Sequence, residues 1–157
     1  METGGKEDSA GKMVPPPAVY VAGVLLGYSL DWLYRLPFLP ALPSQILGII
    51  VALAGFLLWV SAIRTLRKHG TAINPTKPTT RVVSDGPYRF GRNPMYLGLT
   101  LLYLGVTFLV TSLWALLLLV PVLGIINWHA IAREERYLEA KFGEEYRNYR
   151  HRVRKWL

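Results

Sequence analysis

Residues 93–132 read NPMYLGLTLLYLGVTFLVTSLWALLLLVPVLGIINWHAIA, forty positions without an Asp, Glu, Lys or Arg. As a single helix they would reach about 60 Å, twice the roughly 30 Å of a hydrocarbon core. The stretch must therefore fold back on itself. Val110-Thr111-Ser112 is the natural turn, because the arms it separates, 94–110 and 113–130, are each close to one bilayer span. Two further uncharged runs, 13–30 and 36–63, precede it. A soluble bundle would need a polar face on each helix, and these runs have almost none. The chain reads as all-α: four membrane-spanning helices followed by an amphipathic helix lying in the membrane interface.

Outward from that hairpin, residues 1–12 are Gly-rich and mixed in charge, the composition of a disordered tail, and 13–157 form one domain. Pro15 to Pro17 open a first helix over 17–36, in which Gly23 and Gly27 leave room for a neighbour. Asp31, Trp32, Tyr34 and Arg35 near its end have the chemistry of an interfacial anchor. Pro37, Pro40 and Pro43 make a rigid connection. Ser44 is then placed to cap a second helix over 45–69, and Gly70 to stop it; Gly48 and Gly55 share one face of that helix. Residues 71–90, with Pro75, Pro78 and Pro87, read as an irregular polar loop long enough to be suspected of function. Asn93 can cap the third helix and Pro94 fits its first turn. Gly91, Gly98 and Gly105 recur every seven residues, a face on which backbone or a flat ligand can lie. Pro121 should kink the fourth helix. Beyond Arg133, Leu138, Phe142, Tyr146, Tyr149, Val153 and Trp156 step by three and four, with a break expected at Gly143.

The 157 residues are 52% hydrophobic, with a mean hydropathy of +0.26 and a net charge of +8. Nucleic acid is not needed to explain that charge. Once the four helices are laid across a bilayer, seventeen of the eighteen Lys and Arg fall on one side and only Arg35 on the other. The positive-inside bias assigns the cationic side, with both termini and the long loop, to the cytoplasm. The absence of cysteine removes disulfides, thiolate nucleophiles and thiolate metal sites. The three histidines, at 69, 129 and 151, lack ligand spacing, so no metal site is expected.

The hairpin brings the start of the third helix and the exit of the fourth to the same face. Asn93 and Glu134 should therefore be neighbours, together with the 71–90 loop and Glu135. A cationic and aromatic rim opposite paired carboxylates suits a zwitterionic, partly aromatic small molecule. Each piece also has a plainer reading. Asn93-Pro94 is an ordinary helix start, Glu134-Glu135 a solvated face between Arg133 and Arg136, His129 a packed or interfacial residue, and Arg89 and Arg92 contacts for lipid phosphates.

Taken together, Gly86-Pro87-Tyr88-Arg89, Arg92-Asn93-Pro94-Met95-Tyr96-Leu97-Gly98, Arg133-Glu134-Glu135 and Phe142-Gly143-Glu144-Glu145-Tyr146 resemble the isoprenylcysteine carboxyl methyltransferase family and its phospholipid methyltransferase relatives. The small size is similar to that of bacterial members, which implies a bacterial inner membrane with the active site on the cytoplasmic face. The resemblance implies S-adenosylmethionine as methyl donor and a lipophilic acceptor, an isoprenylcysteine-type carboxylate or a phospholipid amine, entering from the membrane lipids. It places Thr80, Arg81, Val82, Val83, Tyr88, Arg92, Asn93, Pro94, Met95, Tyr96 and Gly98 around the cofactor, with Glu134 reaching it from the fourth helix. Glu135 joins Glu134 as a candidate catalytic carboxylate. Many relatives carry His where this chain has Asn93. Eukaryotic relatives use an arginine one turn before the glutamate to hold substrate, where this chain has Ala130; His129 and Arg133 are the candidates to replace it. Sterol-type membrane reductases using NADPH look similar in this region, and a non-catalytic membrane scaffold is the third reading.

Overall fold

The structure, a computed structural model, describes residues 14–36, 38–74 and 77–157. The tail expected over 1–12, and Pro37 and Pro75 of the two connections, lie outside them. Six α-helices account for most of the described chain: α1 Pro16–Leu33, α2 Ala41–Lys68, α3 Pro94–Leu109, α4 Leu113–Ile125, α5 Ala132–Phe142 and α6 Glu144–Arg152. A 3-10 turn occupies Gly86–Arg89, and a π-helical segment, Ile126–Ile131, joins α4 to α5 without a break. No strand occurs among the described residues, only one isolated bridge between Gly91 and Arg154.

Two helices are long and apolar enough to cross a membrane: α2, and the continuous run Leu113–Phe142; α3 is a shorter apolar helix. Only 17% of the most apolar window of α2 is buried within the fold, and 33% of the second. Leu25, Ile50, Leu57, Leu117 and Val120 are among the large apolar side chains left exposed. A core helix of a soluble protein hides such a surface, whereas a lipid-facing one need not.

α2 packs chiefly on α3, and α1 on α4 and then α3. Without a hydrophobic force between helices already in lipid, close backbone approach decides which faces meet. Gly55 lies against the Gly98 carbonyl and the Leu102 amide, and Gly98 against the backbone of Trp59. A Cβ at Gly98 would stand 2.8 Å from Trp59, too near for either helix to keep its place. The heptad of glycines therefore receives backbone. Gly98 and Gly105 take α2, and Gly91 takes the chain near Trp156, so Gly98 is a packing residue and does not face a ligand.

The core where α1, α3 and α4 meet is built on Tyr20, Tyr96, Tyr103, Leu119, Ile126 and Ile131. Buried hydroxyls in an apolar bundle require partners. Tyr103 donates to the Ala115 carbonyl at 2.6 Å, and the Tyr20 hydroxyl bonds Thr100 Oγ1 at 2.9 Å.

The hairpin turns where the sequence indicates. Ser112 caps α4 by accepting from the Ala115 amide at 3.0 Å, and Arg35 donates to Thr111 at 3.2 Å, tying the end of α1 to that turn. Several expectations are corrected. α1 stops at Leu33, short of 36, since residues preceding a proline are pushed out of helical geometry. α2 begins at Ala41, ahead of the expected 45, because Pro43 fits a first turn, whose amides need no helical partner. Ser44 is thus inside the helix, and its hydroxyl donates to the Phe108 carbonyl of α3 at 2.8 Å. Asn93 occupies the cap position of α3 but makes no side-chain cap. The α4 assignment runs through Pro121, and the departure from α geometry comes later, at Ile126. Gly143 does break the tail, at φ +52. The face of α6 expected to lie on the bilayer is turned inward, with Tyr146 and Tyr149 buried against the protein.

Candidate functional site

At the cationic end of the bundle, the last turn of α2, the loop after it, the start of α3 and helices α5 and α6 close around one small cavity of about 60 Å³. The loop enters through the 3-10 turn. Gly86, at φ +54, and Pro87 reverse the chain, and the Tyr88 amide donates to the Asp85 carbonyl at 3.0 Å. That turn sends the Tyr88 ring inward to pack with Val83 and Ala62. Tyr149 of α6 then donates to the Tyr88 carbonyl at 2.7 Å, fixing loop to tail. Burial raises the pKa of Tyr88, and the nearby charge of Glu134 raises it further, so its hydroxyl stays neutral and able to donate.

The carboxylates of α5 have different surroundings. Glu135 accepts from Arg92 Nε at 3.1 Å and Nη2 at 2.8 Å, both through Oε1, and the side chains of this pair are only 14% and 10% exposed. Arg92 Nη1 donates to the carbonyls of Val153 at 2.7 Å and Arg150 at 3.0 Å. Glu134, beyond the uncharged part of the helix, accepts from the Tyr96 hydroxyl at 3.0 Å. Among the described residues its partner is this hydroxyl and not a cation. A half-buried carboxylate without a counter-charge is an unfavourable arrangement that a cationic ligand would relieve.

The residues expected at the donor site divide as follows. Arg81, Val82, Val83 and Tyr88 line the cavity from the loop, and Arg92, Asn93, Met95 and Tyr96 from the start of α3. Glu134 and Glu135 line it from α5. Thr80 does not: its amide donates to Thr71 Oγ1 and its hydroxyl to the Gly70 carbonyl. Pro94 is the buried first residue of α3, and Gly98 faces α2. Asn93 directs its side-chain amide to the Lys155 carbonyl, at 2.9 Å. Sequence reading missed Leu66, Leu138, Tyr146 and Tyr149, which complete the wall. The tyrosines stood in the amphipathic pattern, but that pattern reports an apolar face and not what covers it.

His129 and Arg133 are in a second place. They form the polar end of an apolar groove of about 870 Å³ between α1 and the α4–π segment, where Ala22, Leu26 and Val122 contribute walls and Ala130 lies beside them. None of the described residues lining this groove is a carboxylate. Arg133 and Glu134 are consecutive, so one turn of helix faces the groove on one side and the cavity on the other.

The fold and site define a mostly helical chain with two helices of membrane-crossing length and, at its cationic end, a half-buried carboxylate held by a tyrosine hydroxyl. Residues 43–145 match the phospholipid methyltransferase family, and the chain belongs to that family. Membership implies methyl transfer, and with the lipid-compatible surfaces of α2 and Leu113–Phe142 it makes this a membrane protein. The chain is also 48% identical over 63 residues to an uncharacterized protein of Haemophilus influenzae, an alignment covering 40% of this chain and 100% of that protein. No solved structure matches.

Proposed function

We propose that the protein methylates a lipophilic acceptor with S-adenosylmethionine at the cationic end of a four-span bundle, and that this end faces the cytoplasm of a bacterial inner membrane. The observation that carries the reading is Glu134: a half-buried carboxylate held by Tyr96 and, among the described residues, without a cationic partner, facing a cavity walled largely by tyrosines. The donor set suits the cofactor's charges. Glu134 takes the cationic portion, Tyr88, Val83, Met95 and Leu138 offer aromatic and apolar surface, and Arg81, exposed at the rim, is the available cation for a carboxylate. Arg92 is not, because Glu135 and two carbonyls already occupy its donors. When bound, the cofactor supplies an electrophilic sulfonium methyl, whose bonding pair stays on sulfur as a nucleophile takes the carbon.

The cavity volume of about 60 Å³ suits only a few water molecules, at roughly 15 Å³ each. Binding therefore requires a wall to move. The Thr79–Thr80 part is the best able to do so, being held by polar bonds to Tyr137, Thr71 and Gly70 where Val83 is packed in the core. By contrast, Glu134, Tyr96 and Tyr88 are fixed by helix packing, so the polar groups are in place before the ligand arrives.

The groove between α1 and α4 is the proposed acceptor site. Its apolar walls suit a lipid chain, and His129 and Arg133 suit an anionic head. That favours a carboxylate acceptor over an amine. A carboxylate arrives already deprotonated and attracted to these side chains, whereas an ammonium would be repelled and would have to lose a proton first.

Purified protein in detergent should bind S-adenosylmethionine by calorimetry, and absence of binding by the wild type removes the proposal. Incubation of membranes with methyl-labelled cofactor, followed by lipid extraction, then identifies the acceptor. A base-labile label signifies a methyl ester, and a base-stable label on an amine lipid overturns the carboxylate assignment.

A further inference from the structure

Residues 153–157 run beside the start of α3, and the bonds between the two segments come from Arg92 and Asn93. The Arg92 amide donates to the Arg154 carbonyl at 2.9 Å, and its Nη1 to those of Val153 and Arg150. Asn93 Nδ2 donates to the Lys155 carbonyl. Four carbonyls of the tail, two of them at or near the end of α6 where helical acceptors run out, are thus satisfied by two neighbouring residues. The Arg92 charge also sits at the negative end of that helix. Gly91 permits the approach, since the Trp156 carbonyl lies where a Cβ would be, and the Trp156 ring is packed against the core cluster that includes Tyr96.

The same guanidinium that binds the tail binds Glu135 through a fork at 2.8 and 3.1 Å. Arg92 therefore joins three things: the terminal segment, the α5 carboxylate and the cavity wall that includes Asn93 and Tyr96. Residues 153–157 do not themselves line the cavity. We propose that Arg92 is a positioning residue and that residues 153–157 are a strap backing the donor site, acting on the ligand only through Arg92 and Asn93. The strap holds the guanidinium in the orientation that keeps Glu135 neutralised. With Glu135 paired, Glu134 is the carboxylate left for a cation; with the pair broken, two adjacent carboxylates face the cavity unpaired and the cavity loses its fixed wall.

This rests on the assignment of S-adenosylmethionine to the cavity. The test is a double-mutant cycle on the full chain in detergent, between Arg92→Ala and deletion of residues 153–157, read by affinity for S-adenosylmethionine. Each change alone should weaken binding roughly tenfold to hundredfold, the factor expected on losing charge-assisted hydrogen bonds. Deletion in the Arg92→Ala background should cost clearly less than deletion in the wild type, the remainder being what the strap passes through Asn93 and the Arg92 amide. Arg92→Lys should behave as Arg92→Ala, since one ammonium cannot reproduce the fork and reach the tail carbonyls.

Hydrogen exchange supplies a readout independent of binding, as the Arg92 amide should exchange faster in the deletion variant. Full additivity, or a deletion variant with wild-type affinity, overturns the strap. Failure of the wild type to bind the cofactor at all overturns the donor assignment instead. If the Arg92→Ala protein does not fold, Trp156→Ala replaces it. That variant loosens the strap at its packed end and should give faster Arg92 exchange with weaker binding; faster exchange with unchanged binding overturns the proposal.

Discussion

Replacing Glu134 by Gln should move stability and binding in opposite directions. Gln can still accept from the Tyr96 hydroxyl, now 3.0 Å from Oε2, so the contact survives as a neutral hydrogen bond. Exchanging a charged acceptor for a neutral one costs about 1–1.5 kcal/mol. Against that, the variant no longer takes a half-buried carboxylate partly out of water without a counter-charge, a penalty that reaches several kcal/mol for a fully buried ion. The variant should therefore be at least as stable as the wild type.

Affinity for a cationic ligand should fall about 2–3 kcal/mol in the variant, roughly 30- to 150-fold in Kd. Thermal unfolding in detergent, paired with calorimetry of S-adenosylmethionine, reads both. A Gln variant clearly less stable than wild type, or equal in cofactor affinity, refutes the account of Glu134 as a half-buried carboxylate awaiting a cation.

Three further outcomes are expected. Gly98→Ala should destabilise the fold by about 1–3 kcal/mol, since its Cβ meets the backbone of Trp59, while the folded fraction keeps its affinity for S-adenosylmethionine; selective loss of that affinity in a stable variant would return Gly98 to the ligand site. Tyr149→Phe should cost about 1–3 kcal/mol by leaving the Tyr88 carbonyl without its 2.7 Å donor, with the added signature of faster proteolysis in the 77–90 loop. Gly143→Ala should cost about 1–3 kcal/mol through its φ of +52, measurable as a drop in Tm with the far-ultraviolet spectrum retained.

The hairpin with its turn at 110–112, the break at Gly143 and the meeting of loop, α3 and α5 were legible because each depends on a local signal or on chain length against bilayer thickness. Asn93 and Glu134 come together simply because a 40-residue apolar run must double back. Less was legible where the deciding quantity was the identity of a partner. Ser44 follows proline and looks like a cap, yet bonds a carbonyl of another helix. Tyr146 and Tyr149 lie on an apolar face, and in a membrane protein lipid and protein interior present the same polarity, so periodicity cannot tell which one covers it. Arg92, one cation in a cationic segment, gave no sign of its fork to Glu135, which depends on a residue 43 positions away. The π segment also had no marker of its winding: Asn127 and His129 are the polar side chains within it, and neither signals a change of helical pitch.

That segment changes how the following helix is phased. A π turn holds one residue more than an α turn, so a chain counted in steps of 3.6 through Ile126–Ile131 falls out of phase by about 100° on reaching Glu134. The residue one turn beneath Glu134 is then shared between Ala130 and His129, and is not Ala130 alone as uniform α spacing implies. Position-by-position comparison with a chain wound as plain α-helix here would set the wrong side chains side by side unless one of the two were granted a gap. Deleting a single residue there would restore ordinary winding and swing Glu134 away from Tyr96, leaving every chemical group present and none of them aimed.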